Sequence, residues 1–156
     1  MRHYDIHAEA RQAQPTMVAT TTLPAEEIGP WLAKTYGAVA SVMAAHSAGP
    51  SGPPFARYHR LADGRFVIEA GFPVSAVTEG AGDVQPAELP GGSVAITVHT
   101  GPYDQMEQAY EALASWVSGH GGELAGDAWE VYFSDPVQQP DPATWRTQIV
   151  QPYRPV

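Results

Sequence analysis

Cysteine is absent from the 156 residues. Its absence excludes disulfide cross-links, thiolate metal sites and cysteine nucleophiles, and fits a reducing compartment. Lysine is almost absent: Lys34 is the only one, and eight basic residues stand against seventeen acidic ones, for a formal net charge of −9. A surface of that sign repels phosphate backbones, so no direct contact with nucleic acid is expected, and the same field favours cationic small molecules. No run approaches the ~18 apolar residues of a membrane-spanning helix. Met1 and Arg2 lead into polar and charged residues, not the apolar stretch of a signal peptide. A cytoplasmic protein without a membrane partner is the expectation. H-E-x-x-H, G-x-S-x-G, the P-loop and G-x-G-x-x-G are all missing. The six histidines are scattered, with His3 and His7 merely four apart on an expected strand. Neither a metal nor a cofactor is expected.

What is present reads as alternating strand and helix signals. Residues 4–10 form an expected strand, broken at Gln14-Pro15, and the β-branched run 16–23 forms another. Pro24 to Gly29 reads as an entry turn, with Pro30 at the first helical position of a helix reaching about His46. Its apolar face is Ile28, Leu32, Val39 and Met43. After a Gly/Pro loop at 48–54, strands at 55–61 and 65–74 flank Asp63-Gly64, a hairpin signal. Residues 78–92 read as an acidic loop. A strand at 93–100 then meets Gly101-Pro102, which opens a second helix. Tyr103, Met106, Tyr110, Leu113 and Val117 share one stripe of it, widened by Ala109 and Trp116, while Asp104, Glu107 and Glu111 form its wet face. Gly119, Gly121 and Gly122 end it. W-E-V-Y-F at 129–133, a proline-rich connection at 136–142 and a last strand at 144–153 complete the chain.

The two halves have the same order and align. Phe55–Tyr58 lies over Trp129–Tyr132 at an offset of 129 − 55 = 74, and Phe66–Pro73 lies over Trp145–Pro152 at 145 − 66 = 79. The expected architecture is α+β: a single domain, residues 1–156, of two tandem β-α-β-β modules (about 4–75 and 92–154) with antiparallel sheet. Two such modules are too few for an open solenoid and are expected to pair about a pseudo-twofold, with a ligand cleft at their junction.

One carboxylate stands out. Side chains alternate along a strand, so Trp129, Val131 and Phe133 share one face and Glu130 and Tyr132 the other. A glutamate alternating out of a strand is ordinarily solvated. Here, however, the first repeat has Ala56 where the second has Glu130, while Tyr58 matches Tyr132. Glu69 lies inside an apolar strand, and its repeat partner is Gln148. Aromatic rings around a desolvated carboxylate suit an apolar cation, through ring quadrupole and Coulomb attraction.

Three stretches together resemble the GyrI-like small-molecule-binding family: G-P-Y-D-x-M-x-x-A-Y (101–110), W-E-V-Y-F-S-D-P (129–136) with P-D-P-x-x-W-R-T (140–147), and E-A-G-F-P-V (69–74). This is the effector-binding domain of AraC-type and multidrug-responsive MerR-type regulators, built on a duplicated β-α-β-β (SHS2) module. The resemblance covers about residues 4–153. It implies that Glu130 binds the ligand at the cleft centre, that Tyr103, Trp129 and Tyr132 surround it, and that Tyr58, Tyr110, Phe55, Glu69 and Trp145 complete the surround. The regulators carry a DNA-binding segment upstream, and only about three residues precede the first strand here. A stand-alone member is therefore the expectation. Three roles stay open at this point. The first is binding or sequestration of apolar, often cationic, aromatic molecules. The second is hydrolysis of cyclopropane-containing alkylating compounds, which some similar proteins perform, with Glu130 as acid or base and Tyr58, Tyr103 or Tyr132 steadying the developing anion. The third is a protein partner, such as the gyrase contact made by other members.

Overall fold

A strand that feeds a helix and returns as a hairpin must bury one face of that helix on its own sheet, and the chain does this twice. The computed structural model describes residues 4–134 and 138–156, so Asp135 and Pro136 of the W-E-V-Y-F-S-D-P motif, Val137 and His3 lie outside the described residues. In chain order the elements are β1 (His7–Arg11), β2 (Gln14–Leu23), α1 (Ala25–Ala45), β3 (Phe55–Arg60), β4 (Phe66–Pro73), β5 (Val84–Leu89), β6 (Gly92–Thr100), α2 (Glu107–Gly119), β7 (Glu123–Leu124), β8 (Trp129–Tyr132) and β9 (Arg146–Arg154). Short 3-10 turns occur at Tyr103–Gln105 and Pro142–Thr144. The fold is α+β, with antiparallel pairing throughout. Among the described residues no helix is long and apolar enough to cross a membrane.

Contacts divide the chain into two units: residues 13–90, and residues up to 12 together with 91–156. In the first unit the strand order is β3-β4-β2-β5. Thr35, Val39 and Met43 recur every four residues along α1 and are its buried stripe. Val39 and Met43 meet Met17 and Ala19 of β2, with Val74, Val84, Phe72 and Trp31 around them. In the second unit the order is β8-β9-β6-β1, with β7 pairing the end of β9 at Tyr153 and Arg154. Its core is Ala109, Leu113 and Val117 of α2 with Met106, Ala95 and Ile149. The helix ends in a Schellman closure. Gly121 takes φ +77, its N–H donates to Ser118, and the Gly122 N–H reaches back to Val117 at 2.9 Å.

The two units share one register. Ala56 faces Ala70 and Tyr58 faces Ile68 in the first; Glu130 faces Ile149 and Tyr132 faces Thr147 in the second. The offsets are those of the sequence, 130 − 56 = 74 and 149 − 70 = 79. The buried helical stripes match as well, Thr35, Val39 and Met43 against Ala109, Leu113 and Val117, with 109 − 35 = 74.

Six local expectations change. The first strand does not open the first repeat: β1 pairs with β6, His7 opposite Ile96, and occupies the place beside β6 that β5 takes beside β2. The break falls at Gln12-Ala13, and Pro15 lies within β2, its carbonyl accepting from Val74 N–H at 3.0 Å. Residues 84–89, expected as loop, are a strand. Val84 and Leu89 are buried, Gln85 and Glu88 are exposed, and Pro86 is tolerated because β5 is the outermost strand of its unit. Helix α1 starts at Ala25, so Pro30 is inside it. The Glu26 carbonyl thereby loses its helical donor, at a site where both residues are exposed to solvent. Pro102 leads into the 3-10 turn, and α2 proper begins at Glu107. Phe133 lies beyond β8 and is 48% exposed, so it does not share a core face with Trp129.

Candidate functional site

Directly opposed residues of an antiparallel pair point to the same side of a sheet. Ile149 belongs to the core under α2, and Glu130 and Ile149 are register partners. Glu130 and Tyr132 therefore lie on the α2 side of the sheet. Trp129, paired with Val150, lies on the other side and is 3% exposed.

Tyr110, on the flank of the α2 stripe, reaches down onto this face. Its hydroxyl donates to Glu130 Oε2, and the Tyr132 hydroxyl donates to Oε1 at 2.9 Å. Both carboxylate oxygens thus accept a phenolic hydrogen bond. No basic side chain pairs with Glu130 among the described residues. Burial pushes its carboxyl above the ordinary value of 4.5, and the two tyrosine bonds act against that push without overcoming it. The aromatic surround continues outward. The Tyr103 ring lies 5.8 Å from Tyr132 in an edge contact and 4.8 Å from Trp145. Trp145 is oriented by its indole N–H, which donates to the Gln139 carbonyl at 2.6 Å.

The other unit shows what the carboxylate replaces. Tyr36 is the counterpart of Tyr110, 110 − 36 = 74, and donates to the Phe55 carbonyl at 2.9 Å. Ala56, the counterpart of Glu130, is fully buried. Where no carboxylate is present, the same tyrosine satisfies itself on the backbone.

Of the residues singled out in the sequence, Glu130, Tyr110, Tyr132, Tyr103 and Trp145 form one contiguous cluster. Tyr58, Phe55 and Glu69 belong to the first unit. Tyr58 lies on the α1 side, edge-on to Phe66 at 6.4 Å. Phe55 and Glu69 lie on the side away from α1, with Phe55 buried and Glu69 opposite Arg57. Burial raises the Glu69 carboxyl and the Arg57 charge opposes that shift. The sequence reading missed Tyr4, His99 and Thr147, which continue the polar side of the cluster. His99 is fully buried, its Nε2 donating to the Pro102 carbonyl at 3.1 Å and its Nδ1 accepting from Tyr4 at 2.9 Å. The signal was faint: His99 and Thr147 each lie on the same strand face as a core residue, Ala95 in β6 and Ile149 in β9.

No curated protein matches the sequence. The family model of the GyrI-like small molecule binding domain matches residues 5–154. Among solved structures, EcmrR in a complex with DNA superposes with a TM-score of 0.84 at 22% identity, over 98% of this chain and 58% of that one. This chain thus spans just over half of that regulator's length. The isolated EcmrR C-terminal domain gives 0.73 at 20% identity, over 98% of this chain and 99% of that one. A hydrolase from Listeria innocua gives 0.72 at 12% identity, over 95% and 91% of the two chains. SAV2435, solved bound to tetraphenylphosphonium, gives 0.66 at 11% identity, over 98% and 94%. At these identities the likeness establishes the fold.

Proposed function

This chain belongs to the GyrI-like small-molecule-binding family, and we propose that within that role it captures apolar aromatic cations, with Glu130 as the counter-charge. The observation that carries the reading is the Glu130 carboxyl, which accepts from Tyr110 and Tyr132 and has no cationic partner among the described residues. A buried carboxylate without a cation is costly, and a bound cation relieves that cost. Tyr103, Tyr132 and Trp145 supply ring faces to the same ligand. The net charge of −9 raises the local concentration of cations around the whole chain. SAV2435, which shares the fold, was solved with such a cation bound.

Tetraphenylphosphonium titrated into wild type and Glu130→Gln tests this. The expected result is saturable binding to wild type, weakened about ten- to a hundredfold in the variant, with a neutral aromatic ligand of similar size unaffected. Equal affinity of both proteins for the cation overturns the assignment.

Hydrolysis of a cyclopropane-containing alkylating compound is a second reading, favoured by the raised Glu130 carboxyl. Glu130 would take a proton from water as the water oxygen adds to a ring carbon. The strained C–C bond would break toward a conjugated carbonyl oxygen, which receives the proton, with a nearby tyrosine hydroxyl donating to it. Consumption of substrate beyond one equivalent, abolished in Glu130→Gln, separates turnover from capture.

A further inference from the structure

The register places Tyr132, Thr147 and His99 in one row across β8, β9 and β6, on the face of the sheet that α2 covers. Neighbours in such a row have Cα atoms about 4.5–5.5 Å apart. Tyr132 gives its hydroxyl to Glu130, and both ring nitrogens of His99 are engaged, by Tyr4 and by the Pro102 carbonyl. Thr147, between them, is 0% exposed, and its Oγ1 has no hydrogen-bond partner among the described residues. A hydroxyl withdrawn from water without a replacement partner is unfavourable, and valine would fill the same space without that penalty. A bound group from outside the described residues would give this hydroxyl its partner.

The neighbours of Thr147 indicate what it is. Tyr132 stands directly across from it, and Trp145 lies two residues earlier in extended chain, on the same side. The Tyr103 ring touches both, at 5.8 and 4.8 Å, and so bridges the two side chains that flank Thr147. Tyr103 is 39% exposed and sits on the short 3-10 turn, outside the regular hydrogen bonding of α2. Its rotation would uncover Tyr132 and Trp145, the two side chains that flank Thr147, one row from Glu130.

We infer that Thr147 is a specificity-determining ligand contact of this site: its hydroxyl pairs with a hydrogen-bonding group carried by an aromatic cation whose charge rests beside Glu130, the ligand entering where Tyr103 turns out. The inference rests on Glu130 being the cation anchor. It narrows the ligand class to aromatic cations bearing a hydroxyl, amine or carbonyl, as against all-hydrocarbon cations.

A matched pair of probes tests it: tetraphenylphosphonium and its (4-hydroxyphenyl)triphenyl analogue, titrated into wild type, Thr147→Val and Thr147→Ser. Wild type is expected to prefer the hydroxylated cation about tenfold. Thr147→Val is expected to lose that preference while holding tetraphenylphosphonium within about twofold of wild type, and Thr147→Ser to keep it. Thr147→Val should melt no lower than wild type, which separates a lost contact from a lost fold. An equal preference in wild type and Thr147→Val overturns the Thr147 contact. In that case, tetraphenylphosphonium binding that still depends on Glu130 leaves the cation reading standing. Failure of both probes to bind wild type overturns both.

Discussion

Residue scale is where the charge of Glu130 acquires consequences. Its folded-state pKa lies above 4.5, so the unfolded chain holds the carboxylate more readily than the folded one. The stability associated with the protonated form is fully present below 4.5 and is lost as pH rises through the raised value. Glu130→Gln removes this loss. Its melting temperature is expected to match wild type at pH 4 and to exceed it at pH 8, as thermal melts across that range would show. Cation binding has the opposite sign, because the ligand must displace the proton. Wild-type affinity for tetraphenylphosphonium is expected to rise with pH until the raised pKa is passed and then to level off. A flat profile below neutrality would count against Glu130 as the anchor. The carboxylate itself was legible in the sequence because its repeat counterpart is Ala56. The resemblance placed Trp129 in its surround, whereas alternation along the strand sends Trp129 to the opposite face, and the structure follows the alternation. That Glu130 lies under α2 follows from its register with Ile149 and from Tyr110 reaching it across the helix–sheet contact, both remote in sequence.

At the scale of elements, the repeat dictates registers but not spare room. Gly71 of β4 is the counterpart of Val150 in β9, 150 − 71 = 79. A Cβ on Gly71 would stand 1.9 Å from the Met17 carbonyl oxygen of β2, so the two strands could not keep their pairing. Gly71→Ala is expected to destabilise the protein by about 3 kcal/mol, read as a lowered urea midpoint. Elements with strong local signals were legible from sequence: the α2 stripe, the hairpin at Asp63-Gly64, and the strand at 93–100. Those that were missed carry mixed signals. Strand β5 contains Pro86 and only two buried residues, so its identity comes from pairing with β2, a contact remote in sequence. The start of α1 was misplaced because Pro30 is a valid first-turn residue, and nothing local says that the helix has already run five residues.

Across the whole molecule, the excess of acidic over basic residues acts on every ligand that approaches. With a net charge of −9, affinity for a cationic ligand is expected to fall several-fold between low salt and 0.5 M sodium chloride, while a neutral aromatic ligand shows no such trend. Titrations at two ionic strengths check this, and loss of the neutral ligand to the same degree would assign the effect to the fold. Residues 4–12 have a further consequence, because the chain leaves the second unit after Gln12 and rejoins it at Gly91. A single cut between Pro90 and Gly91 cannot yield both units whole. The fragment from Gly91 onward would carry β6 with the row of amides and carbonyls that β1 normally occupies. The opening segment is in that sense a donated strand, and the later half of the gene encodes an acceptor that its own product must fill.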